Sequence, residues 1–167
     1  FVNGLLSVCE GQAIDIEFES KTNVDLNEYK NMIYLKTAYM IGLSAQMGGV
    51  VSNLPEDKIL KLKEFGDCIG MAYQVQDDLL ELFSDSKAMK KSLDSDFILN
   101  KKTFLWVSTG DKIKSDLNKI LLNFSIDKEE TIDNLRKFVI DNNIKNKAEA
   151  FIQDNINRSK QIIEALD

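Results

Sequence analysis

The chain is 167 residues long, carries a formal net charge of −6 and contains no histidine. That length supports one sizeable core but not two comfortable domains. The acidic balance excludes a nucleic-acid partner, which needs a basic surface, and the missing imidazole excludes Ser-His-Asp and Cys-His catalysis and histidine zinc sites.

Apolar residues recur at helical spacing through most of the chain, and no alternating run marks a strand. A first helix is expected over Val2–Phe18 and a second over Leu26–Val50, where Asp25 and Glu28 have capping-box spacing. Pro55 suits a first helical turn and opens a third helix running to Phe83. Further helices are expected over Asp96–Ser108, Asp111–Asn123, Lys128–Asp141 and Lys145–Ala165. The "STGD" of Ser108–Asp111 breaks the chain, and Asp127 with Glu130 repeats the capping spacing. The expected fold is all-α, one helical bundle or half of one over residues 1–167.

Leu26–Val50 is long and apolar, but Lys36, Ser44 and Gln46 make it a poor membrane span, so no integral membrane segment is expected. Cys9 and Cys68 form no CxxC pair and read as buried free thiols in a reducing compartment, which points to the cytoplasm. The chain starts at Phe1 without a polar lead-in, so the expectation is a C-terminal part whose N-terminal part is absent.

The third helix carries the unusual chemistry. In "GMAYQVQDDLLELF", Gly70–Phe83, helical spacing groups Gln74, Asp77, Asp78 and Glu81 on one face. Apolar residues fill most of the remaining circumference, so this polar stripe should face an interior cleft. Spacing alone is weak evidence, because Glu129, Glu130 and Asp133 fit the same pattern. Those three sit at a helix start, where acids favour the positive dipole end and solvent. No helix end accounts for the mid-helix trio. Three carboxylates about 5 Å apart at an effective dielectric near 20 repel by roughly 3 kcal/mol per pair. Lys36, the only charged residue between Lys30 and Glu56, shares a face with Tyr29, Met32, Ile33, Met40 and Leu43. It could neutralise one carboxylate and leave the others to a cation. Oxygen ligands without His or Cys suit Mg²⁺, which binds through one or two carboxylates, water and substrate phosphates. A structural ion-pair network is the competing reading of the same residues.

Four motifs in order resemble the trans-type polyprenyl synthetases, the isoprenyl diphosphate synthases. "GMAYQVQDDLLE" resembles their second aspartate-rich motif, "YLKTAYM" their Lys-Thr motif, "CEGQAIDIEFE" their Gly-Gln-x-x-Asp stretch, and "DFILNKKTFL" the following loop and helix with Asp96, Lys101 and Thr103. The resemblance implies the C-terminal portion of an isoprenoid-synthase bundle. It also implies condensation of an allylic diphosphate with isopentenyl diphosphate through an allylic cation. Asp77, Asp78 and Glu81 would then hold Mg²⁺, and Lys36 and Lys101 would contact diphosphate. Thr37 and Gln74 would turn oxygen dipoles toward the cationic carbons. Gln12 and Asp15 would support substrate binding, with helix packing as their alternative role, and Thr103 would be a cap or packing residue. A homodimer is implied as well.

Three departures qualify the match. The family's first aspartate-rich motif does not occur in this chain, Glu81 replaces the usual third Asp, and "FSDSKAMKKSLDSD" lacks the usual glycines, although Lys87, Lys90 and Lys91 keep it basic. A non-catalytic partner subunit of a heteromeric synthase is the main alternative; a terpene cyclase and a ligand-free structural bundle are further ones. Product chain length cannot be read from these residues.

Overall fold

The structure, a computed structural model, describes residues 1–84, 101–123 and 126–166, and among these residues it contains helices and no strand. The helices are α1 (Val2–Ser20), α2 (Leu26–Ile33), α3 (Tyr39–Val51), α4 (Glu56–Phe83), α5 (Phe104–Val107), α6 (Asp111–Leu122), α7 (Lys128–Asp141) and α8 (Ile144–Glu164). Local chemistry sets several of their ends. The Asp25 carboxylate accepts from the backbone N–H groups of Asn27 and Glu28, while Glu28 accepts from the N–H of Asp25, closing the expected capping box. Asp127 accepts from the N–H of Glu130 at 3.0 Å. Asn143, at φ 59°, takes the left-handed conformation that turns the chain from α7 into α8.

Two boundaries differ from expectation. The helix expected over Leu26–Val50 is interrupted by a π turn over Tyr34–Ala38, closed by the Tyr39 N–H donating to the Tyr34 carbonyl. One extra residue in the turn rotates everything after it. Consequently Tyr29, Met32 and Ile33 stay beside Lys36, but Met40 and Leu43 pack toward Gly4 of α1. Within the described part of the helix expected over Asp96–Ser108, only Phe104–Val107 are helical. Thr103 occupies its N-cap position without a side-chain capping bond, and Lys101–Thr103 are non-helical. Asp96 and the basic loop of Lys87, Lys90 and Lys91 lie outside the described residues.

α4 is the central helix, packed along α3 on one side and α8 on another. Small residues make the close approaches possible. A Cβ on Gly70 would collide with the Cα of Ala38, and one on Gly11 with the backbone of Lys36. Helices α1 and α4 thus both grip the π turn through glycine. The core continues through Val75, Leu79 and Leu82 of α4 to Leu135 and Val139 of α7 and Ile144 and Ile152 of α8. Each such side chain contributes about 1.5–3 kcal/mol on burial.

The thiols divide. Cys68 is buried in α4, but Cys9 is exposed, because its face of α1 looks outward with Val2, Leu5, Leu6 and Ile16. Among the described residues, no helix is long and apolar enough to cross a membrane.

Gly70→Ala is expected to destabilise the protein by about 1–3 kcal/mol through overpacking against Ala38. Gly48→Ala, in a helix with no atom within 4 Å of the new methyl, should instead stabilise it by about 0.5–1 kcal/mol. Denaturant unfolding of both variants tests the contrast; no loss of stability in Gly70→Ala would show that the Gly70–Ala38 contact does not set the spacing of α4 and the π turn.

Candidate functional site

Gln74, Asp77, Asp78 and Glu81 of α4 line one side of a cleft of about 200 Å³. Asp15 of α1, Tyr29, Met32 and Ile33 of α2, Lys36 of the π turn, and Lys101, Lys102 and Thr103 ahead of α5 form the rest. The cleft therefore gathers seven of the nine residues singled out in the sequence. Thr37 joins indirectly, its hydroxyl donating to Gln74 Oε1 at 2.9 Å. Gln12 does not join; it stands exposed on α1. The comparison trio of Glu129, Glu130 and Asp133 is exposed at the start of α7, so identical spacing has produced a solvated helix end there.

Lys36 has a different partner from the one expected. Its Nζ lies 2.7 Å from Asp15 Oδ2, and Asp15 is almost wholly buried. The cause is geometric. Gly11 lets α1 press onto the backbone at Lys36, and Asp15, one turn further on the same face, is delivered to the ammonium group. Lys36 thus balances an acid on α1, while Lys101 and Lys102 line the same cleft as the stripe on α4.

Asp78 is unlike its two neighbours. It is 7% exposed, and its Oδ2 accepts from the Tyr29 hydroxyl at 2.7 Å and from the Phe104 backbone N–H at 2.6 Å. Oδ1 accepts from Gln74 Nε2 at 3.4 Å. Burial pushes the Asp78 carboxyl up to about 6, a shift only partly countered by the donors from Phe104, Tyr29 and Gln74. The same carboxylate fixes how Gln74 sits: its amide nitrogen must face the acceptor, so its oxygen faces Thr37 and takes the Thr37 proton. Thr37 Oγ1 is left with lone pairs to present. Burial also drives the phenol of Tyr29 well above its ordinary range, which keeps it a proton donor to Asp78.

Asp77 and Glu81 are half-buried at the cleft. Four carboxyl and three ammonium groups line it, a formal charge of −1 when all are ionised. A phosphorylated ligand, itself polyanionic, could enter such a cleft only with cations. Among the described residues no group of three or more His, Cys, Asp or Glu side chains forms a ready-made metal cage. Two oxygen-donor side chains at an open cleft, with phosphate and water completing the sphere, nonetheless fit the habit of Mg²⁺.

Sequence reasoning missed three contributors. Tyr29 was read only as an apolar neighbour of Lys36; a buried phenol needs a hydrogen-bond partner, and that was the available signal. Lys102 is 3% exposed beside the Trp106 ring, its ammonium 4.6 Å from the ring centroid, and burial lowers its pKa. Nothing in the sequence separates it from Lys101. The Phe104 N–H is a backbone group and carries no sequence signal.

Replacing Lys36 with Met should leave Asp15 buried without its counter-ion and destabilise the protein by on the order of 2 kcal/mol, between exposed and fully buried pairs. Adding Asp15→Asn should recover part of that loss, giving a coupling of about 1–3 kcal/mol in a double-mutant cycle. Strictly additive effects would mean the pair contributes nothing as a pair.

Comparison with known proteins gives the family. Residues 1–141 fit the model of the polyprenyl synthetase family. The chain is 32% identical to a geranylgeranyl diphosphate synthase of Sulfolobus acidocaldarius over all of its own length and 52% of that protein's. It superposes on a crystal structure of a geranylgeranyl pyrophosphate synthase with a TM-score of 0.86 and 30% identity, covering 100% of this chain and 53% of the other. A geranylgeranyl pyrophosphate synthetase from Pyrococcus horikoshii gives 0.78 at 31% identity, covering 98% and 50%. The chain spans about half the length of the curated relatives it matches first. With its all-α bundle, its Lys-Thr turn and its acidic helix meeting at one cleft, the chain belongs to the polyprenyl synthetase family.

Proposed function

We propose that the protein is a trans-type prenyltransferase, which joins an allylic diphosphate to isopentenyl diphosphate to give a longer trans-polyprenyl diphosphate. The observation that carries this reading is the meeting of Lys36, Asp77, Glu81 and Lys101 on one cleft in a member of this family.

Asp77 and Glu81 would hold Mg²⁺, which when bound supplies charge neutralisation to the leaving diphosphate oxygens. Departure of diphosphate concentrates negative charge on its oxygens, and Lys36 and Lys101 would bind them there. Asp15, 2.7 Å from Lys36 Nζ, holds that ammonium in position. The carbon left behind is an allylic cation. Thr37, its proton committed to Gln74, can turn only oxygen lone pairs toward it. The double bond of isopentenyl diphosphate then attacks the cationic carbon, and the proton lost from the adduct passes to the released diphosphate.

Asp78, expected from the motif as a third metal ligand, has Oδ2 engaged by two donors and would serve the site from the cleft wall by fixing those donors. Gln12, exposed on α1, is assigned no contact with substrate. The intact Lys36, Gln74 and Asp77 on one cleft, with Thr37 bonded to Gln74, favour catalysis over a non-catalytic partner subunit. A homodimer in the cytoplasm completes the proposal; Val2, Leu5, Leu6 and Ile16, exposed along one side of α1, suit helix-on-helix association.

Asp77→Ala in the complete protein should lower turnover of labelled isopentenyl diphosphate by about 10²-fold or more, with an unchanged unfolding midpoint. Product formation equal to wild type in the purified variant would remove Asp77 from the site and count against the reading.

A further inference from the structure

The two cleft lysines stand directly ahead of α5. Lys101–Thr103 are non-helical, and α5 is only four residues long, too short to be stable by its own hydrogen bonds. Phe104 is one anchor of the segment, beside Lys102, whose ammonium lies 4.6 Å from the Trp106 ring centroid. The Phe104 ring packs edge-on against Tyr29, with centroids 5.9 Å apart at 73°, and lies 5.6 Å from the Phe151 ring of α8. Its N–H donates to Asp78 Oδ2 at 2.6 Å. The Tyr29 hydroxyl donates to that same oxygen at 2.7 Å. Tyr29, Asp78 and Phe104 are all at most 7% exposed, so water does not compete for these bonds. Three residues of chain, at most about 11 Å, separate Phe104 from Lys101.

We infer that Tyr29 is a positioning residue for diphosphate binding: its hydroxyl orients the Asp78 carboxylate, whose Oδ2 holds the Phe104 N–H and thereby sets Lys101 and Lys102 at the rim of the cleft. This inference rests on the proposed diphosphate site and adds to it a residue on α2 that need not touch substrate. Its chemistry is specific to the phenol oxygen. Phenylalanine at position 29 would keep the ring contact with Phe104 and the core packing while leaving Asp78 Oδ2 with one donor. With only the Phe104 N–H on Oδ2 and the long 3.4 Å bond from Gln74 on Oδ1, the carboxylate is freer to turn on its Cβ–Cγ bond, and the Phe104 N–H has a less firmly fixed acceptor. The lysines upstream would then sample a wider range of positions, and misplacement on the scale of 1 Å is costly to a charge-binding site.

The test uses the complete protein with Mg²⁺ and inorganic pyrophosphate. It compares wild type, Tyr29→Phe, Asp78→Asn and Val139→Ala, the last a buried α7 residue away from the cleft lining that controls for lost stability. Tyr29→Phe should weaken pyrophosphate binding about tenfold or more and speed amide exchange at Phe104 by about tenfold or more. Asp78→Asn should do both as well, and Val139→Ala neither. If Tyr29→Phe binds pyrophosphate like wild type, or if Val139→Ala weakens it equally, the positioning role is overturned. A wild type that neither binds pyrophosphate nor elongates a prenyl chain would overturn the function itself and this role with it. Phe104 exchange would still report separately whether the Tyr29–Asp78 contact holds the segment.

Discussion

A carboxylate buried at a helix crossing is the constraint on which the rest of this structure depends. Taking Asp78 out of water costs several kcal/mol unless donors replace the water. Here they come from three elements: the phenol of α2, the first N–H of α5 and the amide of Gln74 on its own helix. Each donor is thereby fixed relative to the others. The acceptor-only character of the carboxylate also travels outward, turning the Gln74 amide, and through it the Thr37 hydroxyl, into a single orientation.

The π turn and the glycines complete this logic from the other side of the cleft. Gly11 of α1 and Gly70 of α4 both approach the turn too closely for any side chain. One helical turn beyond each stands its polar contact: Asp15 on Lys36 and Gln74 on Thr37. Close packing and polar contact are therefore the same design on two helices. The result is a cleft whose lysines and acids nearly balance, with Asp77 and Glu81 half-buried at it and Asp78 almost wholly buried in its wall. Under the proposed function, a prenyl diphosphate would enter such a cleft together with cations.

Most of the helical architecture was legible from apolar periodicity, and α7 has the very bounds, Lys128–Asp141, that its pattern implies. The π turn was not legible, because one inserted residue shifts a face without disturbing the apolar composition around it. The partner of Lys36 was hidden for a related reason: Asp15 lies on another helix, and only the packing at Gly11 brings it near. Asp77 and Asp78 are chemically identical neighbours, and burial alone separates a half-buried acid from an almost wholly buried one. Cys9 was misjudged because an apolar helix face reads as buried whether or not a neighbour covers it. The four motifs, in contrast, carried the family unaided, since each pairs a residue type with a fixed spacing and order.

The most direct measurement is a crystal structure of the complete protein grown with pyrophosphate and Mn²⁺, located by anomalous scattering in place of Mg²⁺. The account predicts Mn²⁺ on Asp77 or Glu81, diphosphate oxygens on Lys36 and Lys101, and Asp78 still holding Tyr29 and Phe104. Metal bound elsewhere, or diphosphate seated away from Lys36, would contradict it.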